Sequence, residues 1–115
     1  MVKKRYIELA KREATKSHMG HKHGAVIVDN NTGRVLSKGC NQYVEFCHTS
    51  RRLSLHAEIN AISNCRKSQL KNSTLYVVRL DKAGNLKYSK PCDKCMRFII
   101  NKTDISGVYY SLSEK

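Results

Sequence analysis

The sequence predicts an α/β domain in which about three helices pack against a sheet of about four strands. Some segments repeat apolar residues at intervals of three and four, as amphipathic helices do, while others are short runs of β-branched and aromatic residues. These segments follow the order helix, strand, strand, helix, strand, helix, strand, which predicts a sheet covered by helices. With 115 residues, the chain is expected to form a single domain over 1–115.

The first element is a helix that reaches about Thr15 and is closed by Gly20. Its apolar residues, spaced three or four apart, are Val2, Tyr6, Leu9, Ala10 and Ala14. A short polar segment follows and holds three histidines, His18, His21 and His23. A second metal site is conceivable there, although clustered histidines in a loop more often face solvent or support another site.

The next two strands form the clearest hairpin in the sequence. Residues 25–29 and 34–39 are β-type runs, and the Asn-Asn-Thr-Gly segment between them has the composition of a hairpin turn. Asn41 follows the second strand, where its side chain either hydrogen-bonds its own turn, the more common case, or points into a pocket. Residues 43–52 are expected to form an irregular loop.

Helices and strands alternate in the second half of the chain. Ser54 is a candidate N-cap for a helix that continues to about Cys65. Residues 74–78 are typical of a strand covered on both faces, and turn residues at 81–85 indicate a small excursion before the next helix. A last strand is predicted at 107–111. The buried positions of the last helix are predicted to be Met96, Ile99 and Ile100.

Two cysteines and a histidine are suited to bind a metal ion. If Pro91 opens a helix, the sulfurs of Cys92 and Cys95 lie on one face of its first turn, where they can chelate. Together with His56 they give zinc three protein ligands, which is typical of a catalytic site whose fourth position takes water. A structural site would need a fourth ligand, and no second chelating pair is present among the candidates Cys40, Cys47, His48 and Cys65.

A carboxylate close to the metal would complete a hydrolytic site. Two thiolates cancel the formal charge of zinc, so a bound water should be less acidic than on a zinc held by three histidines. Glu58 can share a pocket with His56 and act as a proton shuttle. Taken alone, the cysteine pair could be a redox pair or half of a zinc ribbon, but both halves together, in this order, favour a zinc enzyme.

The chain is strongly basic, with 22 Lys and Arg against nine Asp and Glu and a net charge of +13. This excess fits either an ordinary solvated surface or a face that attracts nucleotides or nucleic acid. No apolar run approaches the roughly 20 residues that span a bilayer. A soluble cytoplasmic protein with no membrane partner and with reduced cysteines is therefore expected.

Three segments, Gly39–Asn41, His56–Glu58 and Pro91–Cys95, resemble the cytidine and deoxycytidylate deaminase superfamily. The resemblance covers most of the chain and implies a three-layer α-β-α fold with a mixed sheet. The run from His56 to Ile62 is most similar to the deoxycytidylate branch. The excursion at 81–90 is longer than in the transfer-RNA adenosine deaminases, and the predicted elements stop at a fourth strand. The sheet edge left exposed there predicts a homo-oligomer.

The resemblance also implies roles for individual residues. His56, Cys92 and Cys95 would bind one Zn²⁺ per chain, and Glu58 would be the general acid/base. The implied reaction is hydrolysis at the amine-bearing ring carbon, with Glu58 moving protons to the ring nitrogen and to the departing ammonia. The implied substrate contacts are the side chain of Asn41 and the backbone of Ala57.

The leading hypothesis is a zinc-dependent deaminase that converts the cytosine of a nucleoside or nucleotide to uracil. Arg51 and Arg52 are candidate phosphate contacts. One alternative places the cytosine or adenine in single-stranded DNA or in RNA, including transfer RNA, held by the basic surface. Another is a non-catalytic, zinc-stabilised domain that binds nucleic acid or a protein partner.

Overall fold

Three helices surround a five-stranded mixed sheet, and two further strands form a separate hairpin. The computed structural model describes residues 4–19, 21–45 and 52–111. The helices are α1 (Lys4–Ala14), α2 (Ala57–Ser63) and α3 (Asp93–Lys102), with a short 3₁₀ helix at Lys67–Leu70. The strands are β1 (Lys22–Asp29), β2 (Val35–Cys40), β3 (Gln42–Glu45), β4 (Arg52–Leu55), β5 (Ser73–Leu80), β6 (Leu86–Lys87) and β7 (Gly107–Tyr110).

The strands of the main sheet lie in the order β2-β1-β5-β6, and β7 also pairs with β5. The pairs β1–β2, β1–β5 and β5–β6 are antiparallel, whereas β7 runs parallel to β5. The β1–β2 pair is the predicted hairpin. Its turn ends at Gly33, whose φ of 74° lies in the left-handed region that glycine adopts without strain. Because β1 and β5 are antiparallel, the start of β1 and the end of β5 lie at the same end of the sheet.

The alternation of side chains along β1 and β5 gives the sheet two apolar faces. Val26 and Val28 of β1, with Tyr76 and Val78 of β5, pack against α1. The other face packs against α2 and α3 through the residues Ala25, Ile27, Leu75 and Val77. Helices therefore cover both faces of the sheet, and the predicted α-β-α architecture is confirmed.

Two glycines let helices approach the sheet closely. A Cβ atom at Gly24 would clash with the backbone of Ala10 in α1. A Cβ atom at Gly39 would lie 2.8 Å from the backbone nitrogen of Ala61 in α2. Side chains also join α2 to β2, since the hydroxyl of Ser37 donates to the carbonyl of Ala61 at 2.6 Å. The packing of α2 against β2 thus depends on the small residue at position 39.

Several predicted boundaries were wrong at the ends of elements. The segment predicted as an irregular loop, residues 43–52, overlaps most of β3 and the first residue of β4, and these two strands pair in antiparallel register. Ser54 lies within β4 and is not the N-cap of α2, which begins at Ala57 with His56 as its N-cap. The first strand begins at Lys22, so His23 belongs to β1 and not to a polar linker. Gly20, the expected end of the first helical region, lies outside the described residues.

One predicted core residue, Ile100, is in fact exposed. It retains 68% of its accessible surface, whereas Ile99 retains 1%. The inner face of α3 is centred on Cys95 and Ile99, which are four residues apart, and the next residue points about 100° away around the helix. Among the described helices, none is long and apolar enough to cross a membrane.

Replacement of Gly39 by alanine is expected to destabilise the protein. The added methyl group meets the backbone of α2, so the helix must shift, at a cost of about 1–3 kcal/mol in the free energy of unfolding. Urea unfolding of Gly39→Ala measures this cost. Gly107→Ala is the matched control, because its Cβ would meet only the Thr74 hydroxyl at 3.9 Å. Equal stability of the two variants would contradict the packing described here.

Self-association also remains a prediction of the fold. Within the described residues, β7 pairs with β5 along one side only. An unpaired strand edge in a domain of this size favours pairing with a second copy. Sedimentation velocity should therefore detect a dimer or larger species at micromolar concentration, and a monomer throughout that range would exclude it.

Candidate active site

Two helices begin next to each other on the same face of the sheet. His56 is the N-cap of α2, and its carbonyl accepts a hydrogen bond from the amide of Asn60 at 2.9 Å. Cys92 is the N-cap of α3, and its carbonyl accepts from the amide of Met96 at 2.9 Å. The helix thus starts two residues later than the predicted start at Pro91. Cys95 still lies in its first turn.

His56, Cys92 and Cys95 form a cluster of possible metal ligands, and their ligand atoms all lie within 4.8 Å of one another. The imidazole Nδ1 of His56 is 3.1 Å from the sulfur of Cys95. In a tetrahedral zinc site, the ligand atoms are about 3.3–3.8 Å apart. The three side chains therefore need only small movements to bind one ion.

Glu58 lies beside this cluster and is 3% exposed. One of its carboxylate oxygens, Oε1, is 3.5 Å from Nδ1 of His56. The carboxylate reaches the site because Glu58 is in the first turn of α2, where Ala57 and Ala61 are buried against the sheet. A buried carboxylate at this distance can accept and return protons without competition from bulk water.

The donor set fits a divalent cation. Burial raises the pKa of the Cys95 thiol, and the neighbouring Cys92 thiol and Glu58 carboxylate raise it further. All of these groups favour a bound positive charge, which would stabilise the thiolate forms. The amino-terminal end of α3 adds to this stabilisation, because its free N–H groups carry partial positive charge.

The segment before α3 is held in place by Ser89, which is 4% exposed. Its hydroxyl donates to the carbonyl of Val77 in β5 at 2.9 Å, and its amide donates to the carbonyl of Ser111 at 3.0 Å. The excursion after β5 therefore returns to the sheet at a fixed point. Pro91 and Cys92 follow immediately, so the same bonds set the position of the cysteine pair.

A cleft of about 450 Å³ opens beside His56, Glu58 and Cys92. This volume is within the roughly 300–1,000 Å³ of small-molecule sites. The cleft lies at the end of the sheet where β1 begins and β5 ends. Its other lining residues are Met19, His21, His23, Asn41, Arg79, Ser89, Lys90 and Pro91.

Asn41 lines this cleft but does not bond to its own turn. Its side-chain oxygen accepts from the amide of His23 at 2.9 Å, and its side-chain nitrogen donates to the carbonyl of His21 at 2.7 Å. These two bonds hold the start of β1 against the end of β2. Asn41 thereby positions the two histidines that form one wall of the cleft.

Several charged groups that line the cleft affect the pKa of His23. Burial lowers its pKa most, the Glu58 carboxylate opposes this shift, and the Arg79 guanidinium and the other nearby histidines lower the pKa further. His23 is therefore favoured in its neutral form. Within the described residues, the histidines at 18, 21 and 23 do not form a second group of metal ligands.

The predicted metal ligands come together beside Glu58 and Asn41, whereas Ala57 is fully buried and does not line the cleft. Two of the candidate fourth ligands, Cys40 and Cys65, do not belong to the metal-binding cluster. The other candidates, Cys47 and His48, lie outside the described residues, as do Arg51 and the side chain of Arg52. Sequence reasoning missed Arg79 and Ser89 as cleft residues. Arg79 could have been found from the alternation of β5, because it shares a face with the buried Leu75 and Val77.

Comparisons with known proteins agree with this geometry. The model of the family described as "Cytidine and deoxycytidylate deaminase zinc-binding region" matches residues 1–112. No curated protein sequence matches the chain.

Solved structures are similar over most of the chain. The apo dCMP deaminase of cyanophage S-TIM5 has 28% sequence identity and a TM-score of 0.68, covering 94% of this chain and 80% of that protein. The same phage enzyme in complex with dCMP and dUMP has a TM-score of 0.59 at 25% identity, covering 96% of this chain and 83% of that protein. A variant of cytidine deaminase from Mycobacterium tuberculosis has a TM-score of 0.61 at 19% identity, covering 96% and 86%, which shows a shared fold.

The purified protein is expected to contain one zinc ion per chain. Cys92→Ser and Cys95→Ser should each lower the zinc content well below one, because a hydroxyl replaces a thiolate in a site with three protein ligands. Inductively coupled plasma mass spectrometry measures the metal content. Cys40→Ser and Cys65→Ser are controls that should keep one zinc per chain. Loss of zinc from either control would mean that the ion has a ligand outside the cluster.

Proposed function

Because the chain belongs to the cytidine and deoxycytidylate deaminase zinc-binding family, we propose that it deaminates the cytosine of a deoxycytidylate-like nucleotide, yielding uracil and ammonia. The observation that carries this proposal is the buried Glu58 carboxylate, 3.5 Å from a histidine that lies in a cluster with two cysteines. That arrangement supports hydrolysis at a cleft and not a purely structural metal site. Among the described residues, no arrangement favours the redox or zinc-ribbon interpretation.

His56, Cys92 and Cys95 would hold the zinc ion. A bound zinc would supply Lewis-acid activation of a water molecule. The protein contributes the position of the three ligands, each fixed at the start of a helix that packs on the sheet. It also leaves one side of the cluster facing the cleft, where the substrate ring can enter.

Glu58 would move the protons of the reaction. Its Oε1 takes a proton from the attacking water while the new carbon–oxygen bond forms at the amine-bearing ring carbon. The proton passes to the adjacent ring nitrogen, and a later transfer to the amine lets the carbon–nitrogen bond break and release ammonia. Burial suits this role, because the carboxylate exchanges protons with the substrate and not with bulk solvent.

Asn41 would form part of the substrate wall of the cleft, and the backbone of Ala57 is the other proposed substrate contact. Ala57 lies between the proposed ligand His56 and the proposed proton shuttle Glu58, but it is fully buried and does not line the cleft, so a contact with its backbone would require this wall to shift when the substrate binds. Asn41 already bonds to the backbone at His21 and His23, and it would act chiefly by holding that wall in place. A base that stacks against this wall would have its ring directed towards the metal cluster.

A nucleotide substrate is supported by the similarity to the phage dCMP deaminase, which was solved with dCMP and dUMP. It is also supported by the charge of the cleft, which carries Arg79 and Lys90 besides the histidines. The net charge of +13 is compatible with a polymer substrate too, but it is spread over the chain. Released ammonia should therefore be assayed with dCMP, deoxycytidine, cytidine and a short single strand that contains cytosine.

Glu58→Gln is expected to lower kcat for dCMP by about 100- to 10,000-fold while one zinc stays bound. The amide has nearly the same shape as the carboxylate but cannot accept and return the proton. Ammonia release and metal content are measured on the same preparation.

Glu13→Gln is the matched control for this substitution. Glu13 is also a buried carboxylate, with 7% exposure, but it lies on α1 and pairs with Lys16 at 2.6 Å. Its replacement should leave kcat within about two-fold, because α1 packs on the opposite face of the sheet from α2. Unchanged activity of Glu58→Gln with zinc in place would refute the proposed function.

A further inference from the structure

The sheet places Arg79 on the same face as the proposed active site. Leu75 and Val77 alternate along β5 and pack against α2 and α3, and Arg79 is the next residue on that face. It pairs across the sheet with His23 of β1. At this end of the sheet the apolar core gives way to the cleft, which Arg79 and Glu58 both line.

Arg79 has an unused hydrogen-bond donor. Its Nε atom is buried and has no hydrogen-bond partner within the described residues. None of the ion pairs found among those residues includes its guanidinium. A buried charged donor without an acceptor costs free energy, and such groups in folded proteins usually meet an acceptor that is absent from the chain itself. Because Arg79 lines the cleft, a ligand bound there can supply the acceptor that the described residues do not.

The remaining charges of the cleft indicate that this acceptor is anionic. Lys90 is exposed on the cleft wall and directly precedes Pro91, held there by the bonds of Ser89. Among the described lining residues, Glu58 is the only carboxylate, and it is buried beside His56. An anionic ligand in the cleft would therefore be attracted by Arg79 and Lys90. Among the described lining residues, no carboxylate other than Glu58 would compete with it for these cations.

We propose that Arg79, supported by Lys90, binds the 5′-phosphate of the substrate and makes the site specific for a nucleotide over a nucleoside. This inference rests on the proposed function for the identity of the base. A guanidinium suits the task because its planar N–H groups bind two phosphate oxygens at once. The segment between β5 and α3 contributes to this phosphate site, because it places Lys90 at the cleft, next to the start of α3.

The test compares ligands with and without the phosphate in zinc-loaded protein. Isothermal titration calorimetry gives Kd for dUMP and for deoxyuridine, and ammonia release gives kcat/KM for dCMP and for deoxycytidine. A single-stranded pentamer of deoxycytidylate is assayed as well. Comparing it with dCMP shows whether the site prefers a phosphodiester or a phosphate monoester. The variants are Arg79→Gln, Arg79→Lys and Lys90→Gln.

Arg34→Gln is the matched control, because it removes the same charge from an exposed residue directly after the β1–β2 turn. That turn joins the end of β1 to β2, so it lies at the opposite end of the sheet from the cleft. Lys90→Gln changes an exposed side chain and should not affect folding. It therefore tests the proposal even if the Arg79 variants are unstable.

Arg79→Gln is expected to raise Kd for dUMP and to lower kcat/KM for dCMP by about 10- to 100-fold, with values for deoxyuridine and deoxycytidine changed by less than about three-fold. Arg79→Lys should recover part of the loss, because charge remains without the two-point contact. Lys90→Gln should weaken dUMP binding by about two- to five-fold. Arg34→Gln should change none of these values.

Three results would overturn the assignment. The first is that Arg79→Gln lowers kcat/KM equally for dCMP and deoxycytidine. The second is that the unmodified protein binds dUMP and deoxyuridine with the same Kd. The third is that Arg79→Gln lowers activity on the pentamer alone. If the unmodified protein deaminates none of the cytosine compounds, the proposed function fails. The two binding measurements still decide whether Arg79 forms a phosphate site, because they do not depend on turnover.

Discussion

The structure depends on the close approach of two helix starts at one end of the sheet. His56 and Cys92 are the N-caps of α2 and α3, and the imidazole of His56 lies 3.1 Å from the sulfur of Cys95. Gly39 admits α2 against β2, while the hydroxyl of Ser89 ties the start of α3 to β5. Residues far apart in sequence are thereby brought to one point by packing on a common face.

The same packing brings groups of opposite charge together in the cleft. Two thiols and a buried carboxylate lie together, and burial raises the pKa of the Cys95 thiol, which Cys92 and Glu58 raise further. A bound cation opposes this rise, and the start of α3 assists it. The cleft also carries Arg79 and Lys90, and neither forms an ion pair with an acid among the described residues. The cleft thus combines an anionic cluster of metal ligands with two cations suited to a phosphate.

Much of this arrangement could be predicted from the sequence, because motif spacing and side-chain periodicity are local properties. The metal-binding cluster followed from His56, Cys92 and Cys95, and the hairpin followed from its turn residues. The alternation of β5 could have placed Arg79 on the same face as Leu75 and Val77, but its position beside the cleft depends on which strand lies next to β5 and in which register. The prediction that Ile100 is buried was wrong for a related reason. The inner face of α3 is set by how the helix packs on the sheet, and not by its apolar residues alone.

Zinc K-edge X-ray absorption spectroscopy tests the central claim most directly, since it counts the atoms bound to the metal. A metal held by three side chains with its remaining position open to the cleft predicts two sulfur atoms at about 2.3 Å, one imidazole nitrogen at about 2.0–2.1 Å and one non-protein oxygen. The oxygen signal should change when a substrate analogue enters the cleft. A shell of four sulfur or nitrogen atoms that is unaffected by ligand would contradict the account.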